Sequence, residues 1–213
     1  MSHVSAEIKR AFLRSAHNGD TKEMLKLLNK TNYEHDANYN NIIVGLPSKS
    51  IVFERKRLLR ENKSISKHIT KYNLINVVDH RLRRSALHWA CEKGKLSATK
   101  IALNNGININ KVDVNGQTGL HIICKHGKYL EILLILLDAG AKLNIVDCNG
   151  YTPLMLATIN GHVDVVRILL MYGANIYVET NARFKKKTAV DLAYDKKHEN
   201  ILQLLLRHVY NER

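Results

Sequence analysis

The chain has 213 residues, of which 45% are hydrophobic, so it is long enough and apolar enough to bury a sizeable core. That composition excludes an intrinsically disordered tail. The chain carries 33 Lys and Arg against 19 Asp and Glu, a formal net charge of +14, which favours an acidic partner such as nucleic acid, an anionic membrane or an acidic protein.

Residues 6–30, the first predicted element, have the spacing of two short amphipathic helices joined by a turn at Gly19. Phe12 and Ala16 precede this glycine, and Met24 and Leu28 follow it. No hairpin sequence comes before the pair, which is typical of the N-terminal capping unit of a repeat stack. The next residues, 31–48, are rich in Asn and Tyr and are predicted to be an inserted loop.

The segment 49–84 is the most basic part of the chain, with 11 Lys and Arg against three acidic residues and a net charge of +8. Its end aligns with a later stretch, because His68 to Asp79 matches Leu136 to Asp147 at an offset of 68 residues. Residues 49–78 are therefore predicted to form a degenerate repeat.

Three phrases recur in register between residues 79 and 179, at a period of 33 or 34 residues. They are a T-x-L-H-like phrase, a glycine that ends an aliphatic run, and an Asp-x-Asn-Gly turn. The copies of the first phrase begin at Ser85, Thr118 and Thr152, those of the second contain Gly106, Gly140 and Gly173, and those of the third begin at Asp113 and Asp147.

Each phrase predicts a local structure. The Asp-x-Asn-Gly turns fit hairpin tips, because Gly and Asn accept positive φ. Thr118 and Thr152 stand where a helix N-cap is needed, since a hydroxyl there can accept a hydrogen bond from a free backbone N–H. Gly127 and Gly161 are predicted to end the first helix of a unit, and the aliphatic runs predict a second helix. Such a short helix pair cannot bury its apolar face alone, so the units must stack.

The last element, residues 180–210, continues the pattern with Thr188 to Ala193. Lys196, Lys197 and His198 then replace the expected glycine, and a polar tail follows. This segment is predicted to be a C-terminal cap.

The period, the T-x-L-H phrase and the turns together resemble the ankyrin repeat, and the resemblance covers residues 79 to about 210. It implies an all-α solenoid of helix-turn-helix units with β-hairpin loops, with about six helix pairs including the caps. We expect a single domain over 1–213, divided into an N-terminal cap (6–30), an inserted loop (31–48), a degenerate repeat (49–78), three full repeats (79–179) and a C-terminal cap (180–210).

The resemblance further implies a non-enzymatic scaffold or adaptor, since ankyrin stacks bind other proteins through their hairpin tips and the concave face of their first helices. At these positions the sequence offers Arg and aromatic side chains, which are enriched in binding hot spots. The predicted partner-binding residues are Arg81, Arg83, Arg84, Glu92, Lys93, Val114, Asn115, Gln117, Lys125, His126, Cys148, Asn149, Tyr151, Asn160, Arg183, Phe184 and Lys185.

Two hairpins depart from the repeat, and both departures are basic: Asp79 to Arg84 and Asn181 to Lys187. They predict a protein partner with an acidic surface. The charge leaves a second class of function open, in which segment 49–84 binds nucleic acid or anionic lipid electrostatically. Stretches 96–103 and 172–191 also resemble the ankyrin domains of GA-binding protein beta subunits, which leaves open a role as the ankyrin subunit of a transcription-factor complex.

No enzyme and no cofactor are predicted, because the sequence has no GxGxxG, GxxxxGK(S/T), HExxH or GxSxG motif. His88 and His121 stand at the T-x-L-H position, where the family resemblance implies that the imidazole braces the hairpin. No second ligand lies at metal spacing, so no metal site is predicted. Cys91 and Cys124 are expected in the core, whereas Cys148 is expected to expose its thiol at a hairpin tip.

Cysteine usage and hydropathy predict an intracellular chain, cytoplasmic, nuclear or both. Three cysteines cannot close a disulfide framework, and none stands in a CxxC pair. The longest aliphatic run, Ile132 to Leu137, is far shorter than the roughly 20 residues of a membrane-spanning helix, so no membrane insertion is expected.

Overall fold

The chain folds into a row of helix pairs. The computed structural model describes residues 5–30, 74–181 and 186–211, and these ranges contain ten α-helices. The helices are α1 (Ala6–Asn18), α2 (Thr21–Lys30), α3 (Ala86–Glu92), α4 (Leu96–Asn104), α5 (Gly119–His126), α6 (Leu130–Asp138), α7 (Pro153–Ile159), α8 (Val163–Met171), α9 (Ala189–Asp195) and α10 (Glu199–Asn211).

The pairs stack in two rows. The odd-numbered helices form an inner row in which α1, α3, α5, α7 and α9 each pack against the next. The even-numbered helices pack behind their partners, and α2 contacts α4, α4 contacts α6, and α8 contacts α10. This arrangement is the all-α repeat solenoid that the sequence predicts.

Small residues set the spacing of the inner row. Ala90 and Cys91 of α3 are fully buried, and Ala157 of α7 and Ala193 of α9 are equally inaccessible. At Gly119 of α5, an added Cβ would lie 3.1 Å from the Cys91 sulfur. Adjacent inner helices therefore approach closely because their facing side chains are small.

The helix ends follow the chemistry that the repeat phrases predict. The Thr118 hydroxyl accepts a hydrogen bond from the His121 N–H, and the Thr152 hydroxyl accepts one from the Met155 N–H at 3.2 Å. Gly127 ends α5 in the left-handed region with φ 70°. Both N-cap predictions and this C-cap prediction are confirmed.

The hairpin loops are tied by aspartates. One carboxylate oxygen of Asp113 accepts hydrogen bonds from the N–H groups of Asn115 and Gln117, at 2.8 and 3.0 Å. Asp147 accepts in the same way from Asn149 and Tyr151. In the described residues these loops are turns, with a single isolated β-bridge between residues 78 and 85, because the chain enters the next helix directly after the turn.

The stacking order differs from the order that the sequence predicts. The degenerate repeat 49–78 is expected between the N-terminal pair and the first full repeat, yet α1 packs directly on α3 and α2 on α4. The Lys95 side chain lies over the turn at Gly19, where an added Cβ would meet its Cδ at 2.8 Å. The described residues contain five helix pairs and the helical residues Leu74 and Ile75, and the expected number of about six pairs stays a prediction. The predicted loop 31–48 and residues 49–73 lie outside the described residues.

The end of the aligned segment does occupy the position that the alignment gives it. Leu74 and Ile75 are fully buried, and Asn76 accepts a hydrogen bond from the Asn108 N–H at 2.6 Å. Asn110 and Asn144 accept equivalent bonds from residues 142 and 175 of the next units. Leu74 and Ile75 are helical, and residues 76–79 lead from them into the first full repeat.

Candidate functional site

The predicted partner-binding residues fall into three groups in the structure. Five are half-buried, nine are exposed, and residues 183–185 lie outside the described residues. The half-buried residues are Arg84, Glu92, Gln117, His126 and Tyr151. The exposed residues are Arg81, Arg83, Lys93, Val114, Asn115, Lys125, Cys148, Asn149 and Asn160.

A single tryptophan lies at the centre of the inner-helix face. Trp89 is half-buried on α3, and the Arg84 guanidinium lies over its ring, 5.2 Å from the centroid. The His17 ring of α1 meets the indole edge-on, with the ring centroids 5.3 Å apart. The indole is thus held between a cation and an imidazole from two different repeats, in geometries that aromatic faces favour.

Arg84 also connects two neighbouring hairpins. Its Nε donates to the Asp113 carboxylate at 3.3 Å, and its Nη1 lies 3.4 Å from the Glu92 carboxylate. Gln117 repeats this arrangement one unit later, since its side-chain amide donates to Asp147 at 3.3 Å. Both residues were predicted as partner contacts, and both hold the hairpin row together as well.

Glu92 carries contacts on both carboxylate oxygens. One oxygen lies 3.4 Å from Arg84, and the other lies 3.5 Å from the His126 Nε2 of the next repeat. The Arg84 guanidinium compensates the Glu92 carboxylate, and the His126 ring of the next repeat lies beside it. Glu92 is therefore not an open negative site on this face.

Five exposed cations lie on α1, on α5, in the first hairpin and at the end of α3, and we call them the basic strip. None of them forms an ion pair with any residue that the structure describes. Arg14 takes in α1 the place of Trp89 in α3, since each lies five residues before a turn glycine. The basic strip consists of Arg14, Arg81, Arg83, Lys93 and Lys125.

The cations near the last hairpin differ from the basic strip. Lys186 pairs with Glu179 at 3.2 Å, and Lys187 pairs with Asp195. Lys186 and Lys187 are therefore at least partly neutralised by neighbouring carboxylates, unlike the five cations of the basic strip.

The two T-x-L-H histidines link each inner helix to the next hairpin. His88 Nε2 lies 2.9 Å from the Gln117 carbonyl oxygen, and its Nδ1 lies 3.1 Å from the Ser85 backbone nitrogen. A carbonyl can only accept and a backbone N–H can only donate, so the ring is neutral with its proton on Nε2. His121 makes the same contacts with Tyr151 and Thr118. The predicted bracing role is confirmed.

Burial keeps both imidazoles neutral. Desolvation lowers the pKa of His88 and the pKa of His121, although the hydrogen bonds to the carbonyls act in the opposite direction. Burial likewise raises the pKa of the thiols of Cys91 and Cys124, which lie in the core as predicted. Cys148 is exposed, also as predicted.

The helix pairs, their hairpins and the histidine braces are the features by which a protein family can be recognised. The family model for ankyrin repeats matches residues 56–147 and 120–212, which together make up more than half of the chain. The chain belongs to the ankyrin-repeat family. Ankyrin repeats form scaffolds for protein–protein interaction, and ankyrin domains are in general non-enzymatic interaction modules.

Curated relatives share ankyrin repeats in proteins of different kinds. A photoreceptor ankyrin repeat protein of Homo sapiens is 35% identical over 42% of this chain and 21% of its own length. An E3 ubiquitin-protein ligase of Arabidopsis thaliana is 35% identical over 55% of this chain and 21% of its own length. A tyrosine-protein kinase of Hydra vulgaris is 30% identical over 60% of this chain and 17% of its own length. The chain thus spans about a fifth of each of these relatives.

Sequence reasoning missed two members of the ankyrin inner face, Trp89 and His17. Trp89 stands in the variable position after the T-x-L-H histidine, where the later repeats have Ile122 and Leu156. The only signal was that this site holds the single tryptophan of the chain. His17 could not have been paired with it, because that contact depends on α1 stacking directly on α3.

Two further findings concern the described residues alone. No group of three or more His, Cys, Asp or Glu side chains within them is placed to hold a metal ion. None of the described helices combines the length and apolar character that crossing a membrane requires.

Proposed function

We propose that this ankyrin stack binds an acidic segment of another protein along the basic strip, with Trp89 as the apolar anchor. The observation that carries this proposal is the set of five exposed cations without ion-pair partners among the described residues. The hairpin tips beside them, Val114, Asn115 and Asn149, would form the polar and aliphatic rim.

Trp89 is suited to carry more of the binding energy than any single cation of the strip. Exposed charge pairs contribute only about 0.2–1 kcal/mol each, whereas a desolvated tryptophan in an interface contributes about 2 kcal/mol or more. The indole is already held by Arg84 and His17, so a partner does not have to order it on binding. The cations would steer an acidic segment to the site, and the indole would hold it there.

The free thiols fit a function inside the cell. Cys91, Cys124 and Cys148 are all unpaired with one another, as expected in a reducing compartment. We therefore place the proposed scaffold in the cytoplasm or the nucleus.

Charge reversal within the basic strip tests the proposal. The double variant Lys93→Glu and Lys125→Glu should reduce recovery of the partner from a native-cell pulldown by about tenfold or more, because it replaces attraction with repulsion at two contacts. The matched control is Lys22→Glu with Lys142→Glu, which changes the net charge equally at two exposed positions on outer elements. The control should retain the partner.

Equal loss in both double variants would overturn the assignment to the basic strip, since it would show a response to net charge alone.

The salt dependence of binding distinguishes the alternative, in which segment 49–84 binds nucleic acid or anionic lipid. Counterion release makes nucleic-acid binding weaken steeply as salt rises. Retention on heparin that vanishes at moderate salt, without any stable protein partner, would contradict a protein scaffold.

A further inference from the structure

The last helix pair exposes apolar side chains on its outer end face, the side turned away from α7 and α8. Tyr194 is 73% exposed, Leu206 is 49% exposed and Tyr210 is 81% exposed. Val190 and Leu202 are half-buried beside them. We call this surface the end face. A contiguous exposed apolar patch is typical of an interaction site.

The residues of the end face stand at the repeat positions through which the earlier units pack on one another. The residues 36 positions before Val190, Tyr194, Leu202 and Leu206 belong to α7 and α8, and the α9–α10 pair covers them. They are Leu154, Thr158, Val166 and Leu170, which are 1%, 0%, 0% and 8% exposed. The final pair thus retains an apolar stacking surface, where a cap would be expected to present polar residues.

A further helix pair at the regular spacing does not fit against this face. The position of Tyr194 is filled by Cys91, Cys124 and Thr158 in the three preceding units, all fully buried. At the first of these, the next inner helix comes so close that a Cβ on Gly119 would lie 3.1 Å from the Cys91 sulfur. A tyrosine ring occupies the space into which such a helix would pack.

The end face offers both a projecting group and a hollow. Beside Tyr194 lies an open cavity of about 340 Å³ between α9 and α10. It is lined by Lys187, Val190, Asp191, Tyr194, Asp195, Leu202 and Leu206. A surface that carries a projecting side chain beside a cleft can pair with a copy of itself about a two-fold axis.

The charge around the cavity differs from the charge of the whole chain. The whole chain has a net charge of +14, so two copies repel each other over most of their surface. The cavity lining contains one lysine and two aspartates, and Lys187 is paired with Asp195. The cavity lining therefore adds little to the repulsion between two copies.

We propose that the end face is the contact surface between two copies of this chain, with Tyr194 of each copy lying in the α9–α10 cavity of the other. The ring would be buried against Val190 and Leu202, and its hydroxyl would reach the polar rim formed by Asp191 and Lys187. Such an interface leaves the basic strip free in both copies, so this inference stands independently of the proposed function.

Sedimentation equilibrium of the full chain over a wide range of concentration tests the proposal. The average mass should rise from 24.3 kDa towards twice that value and stop there, because an isologous contact closes at two copies. Tyr194→Asp and Leu206→Asp should each raise the dimer Kd by about 30-fold or more, the fold-change that corresponds to a hot spot of about 2 kcal/mol. Circular dichroism should show that both variants fold, since both side chains are exposed.

Tyr177→Asp is the matched control, because Tyr177 is 60% exposed in the loop after α8 and should leave the Kd unchanged. The proposal is overturned if the wild-type chain remains a monomer at every concentration. It is also overturned if the mass grows beyond two copies, if both end-face variants dimerise like the wild type, or if the end face of a monomeric chain binds a different protein.

Discussion

Two residues other than glycine have a positive φ at positions where other repeats have glycine. Arg83 has φ 54° in the first hairpin, where the later hairpins place Gly116 and Gly150 with φ 73° and 81°. Lys197 has φ 58° after α9, where α5 ends at Gly127. A side chain in this left-handed region costs about 1–2 kcal/mol, so the first hairpin and the last turn are strained relative to their counterparts.

Replacing Arg83 by glycine should relieve this strain. We expect Arg83→Gly to raise the free energy of unfolding by about 0.5–1 kcal/mol, because the strain removed exceeds the added flexibility of the unfolded chain. Urea denaturation measures the change. Arg81→Gly is the control in the same turn, and since Arg81 is not in the left-handed region, it should lower stability. Equal effects of the two substitutions would contradict the assignment of strain to Arg83.

The histidine braces make stability depend on pH. Burial lowers the pKa of His88 and of His121 in the folded chain below the ordinary value of about 6.5. Below that pH the two histidines are protonated in the unfolded chain but stay neutral in the folded chain. Unfolding therefore becomes more favourable. The contribution of these two histidines to the free energy of unfolding should not change with pH above about pH 6.5. It should fall as the pH is lowered below that value.

Denaturation of the double variant His88→Gln with His121→Gln isolates this effect. Each substitution should cost about 1–3 kcal/mol near pH 7.5, because a buried bond to the next hairpin is lost or weakened. The variant should lose less stability than the wild type between about pH 7.5 and about pH 5.5. An unchanged pH dependence would show that other groups control the acid sensitivity.

At the scale of the helices, the packing of α7 against α9 contains one unfavourable group. Thr158 is fully buried, and its hydroxyl has no hydrogen-bond partner among the residues that the structure describes. We expect Thr158→Val to stabilise the chain by about 1 kcal/mol, because it removes a buried unsatisfied hydroxyl at nearly constant volume.

Thr118→Val is the matched control for that substitution in urea denaturation. Its hydroxyl caps α5 by accepting the His121 N–H, so its loss should destabilise the chain by about 1 kcal/mol. If Thr158→Val were as destabilising as Thr118→Val, the Thr158 hydroxyl would have a stabilising partner.

The ends of the helices were largely predictable, because they depend on local chemistry. The caps at Thr118 and Thr152, the turns at Asp113 and Asp147 and the histidine braces all follow from short phrases that recur in the sequence. The bridges from Arg84 and Gln117 to the next hairpin were not predictable. They join side chains about thirty residues apart, and their geometry exists only after the hairpins have stacked.

At the scale of the whole molecule, the repeat period does not determine which units touch. The repeat period predicts a degenerate repeat between the N-terminal pair and the first full repeat. In the structure α1 packs directly on α3, with Ala16 fully buried and the Lys95 side chain over Gly19. The contact of His17 with Trp89 follows from that order, which explains why the centre of the candidate site was missed.

At this scale the net charge of +14 can be assigned to particular parts of the molecule. Lys186 and Lys187 near the last hairpin are paired with carboxylates, whereas the cations of the basic strip are not. The proposed acidic partner meets the basic strip, while the cavity of the end face is lined by one lysine and two aspartates. The two proposed surfaces do not compete.

The fluorescence of Trp89 tests the central claim most directly, since it is the only tryptophan of the chain. On titration with the partner recovered in the pulldown, stripped of its own tryptophans by substitution, the emission should shift to shorter wavelength and saturate as the indole is desolvated. Lys93→Glu with Lys125→Glu should move the midpoint to about tenfold higher concentration. Binding that proceeds with unchanged Trp89 emission, or with the same midpoint in the double variant, would contradict an acidic partner seated on the basic strip.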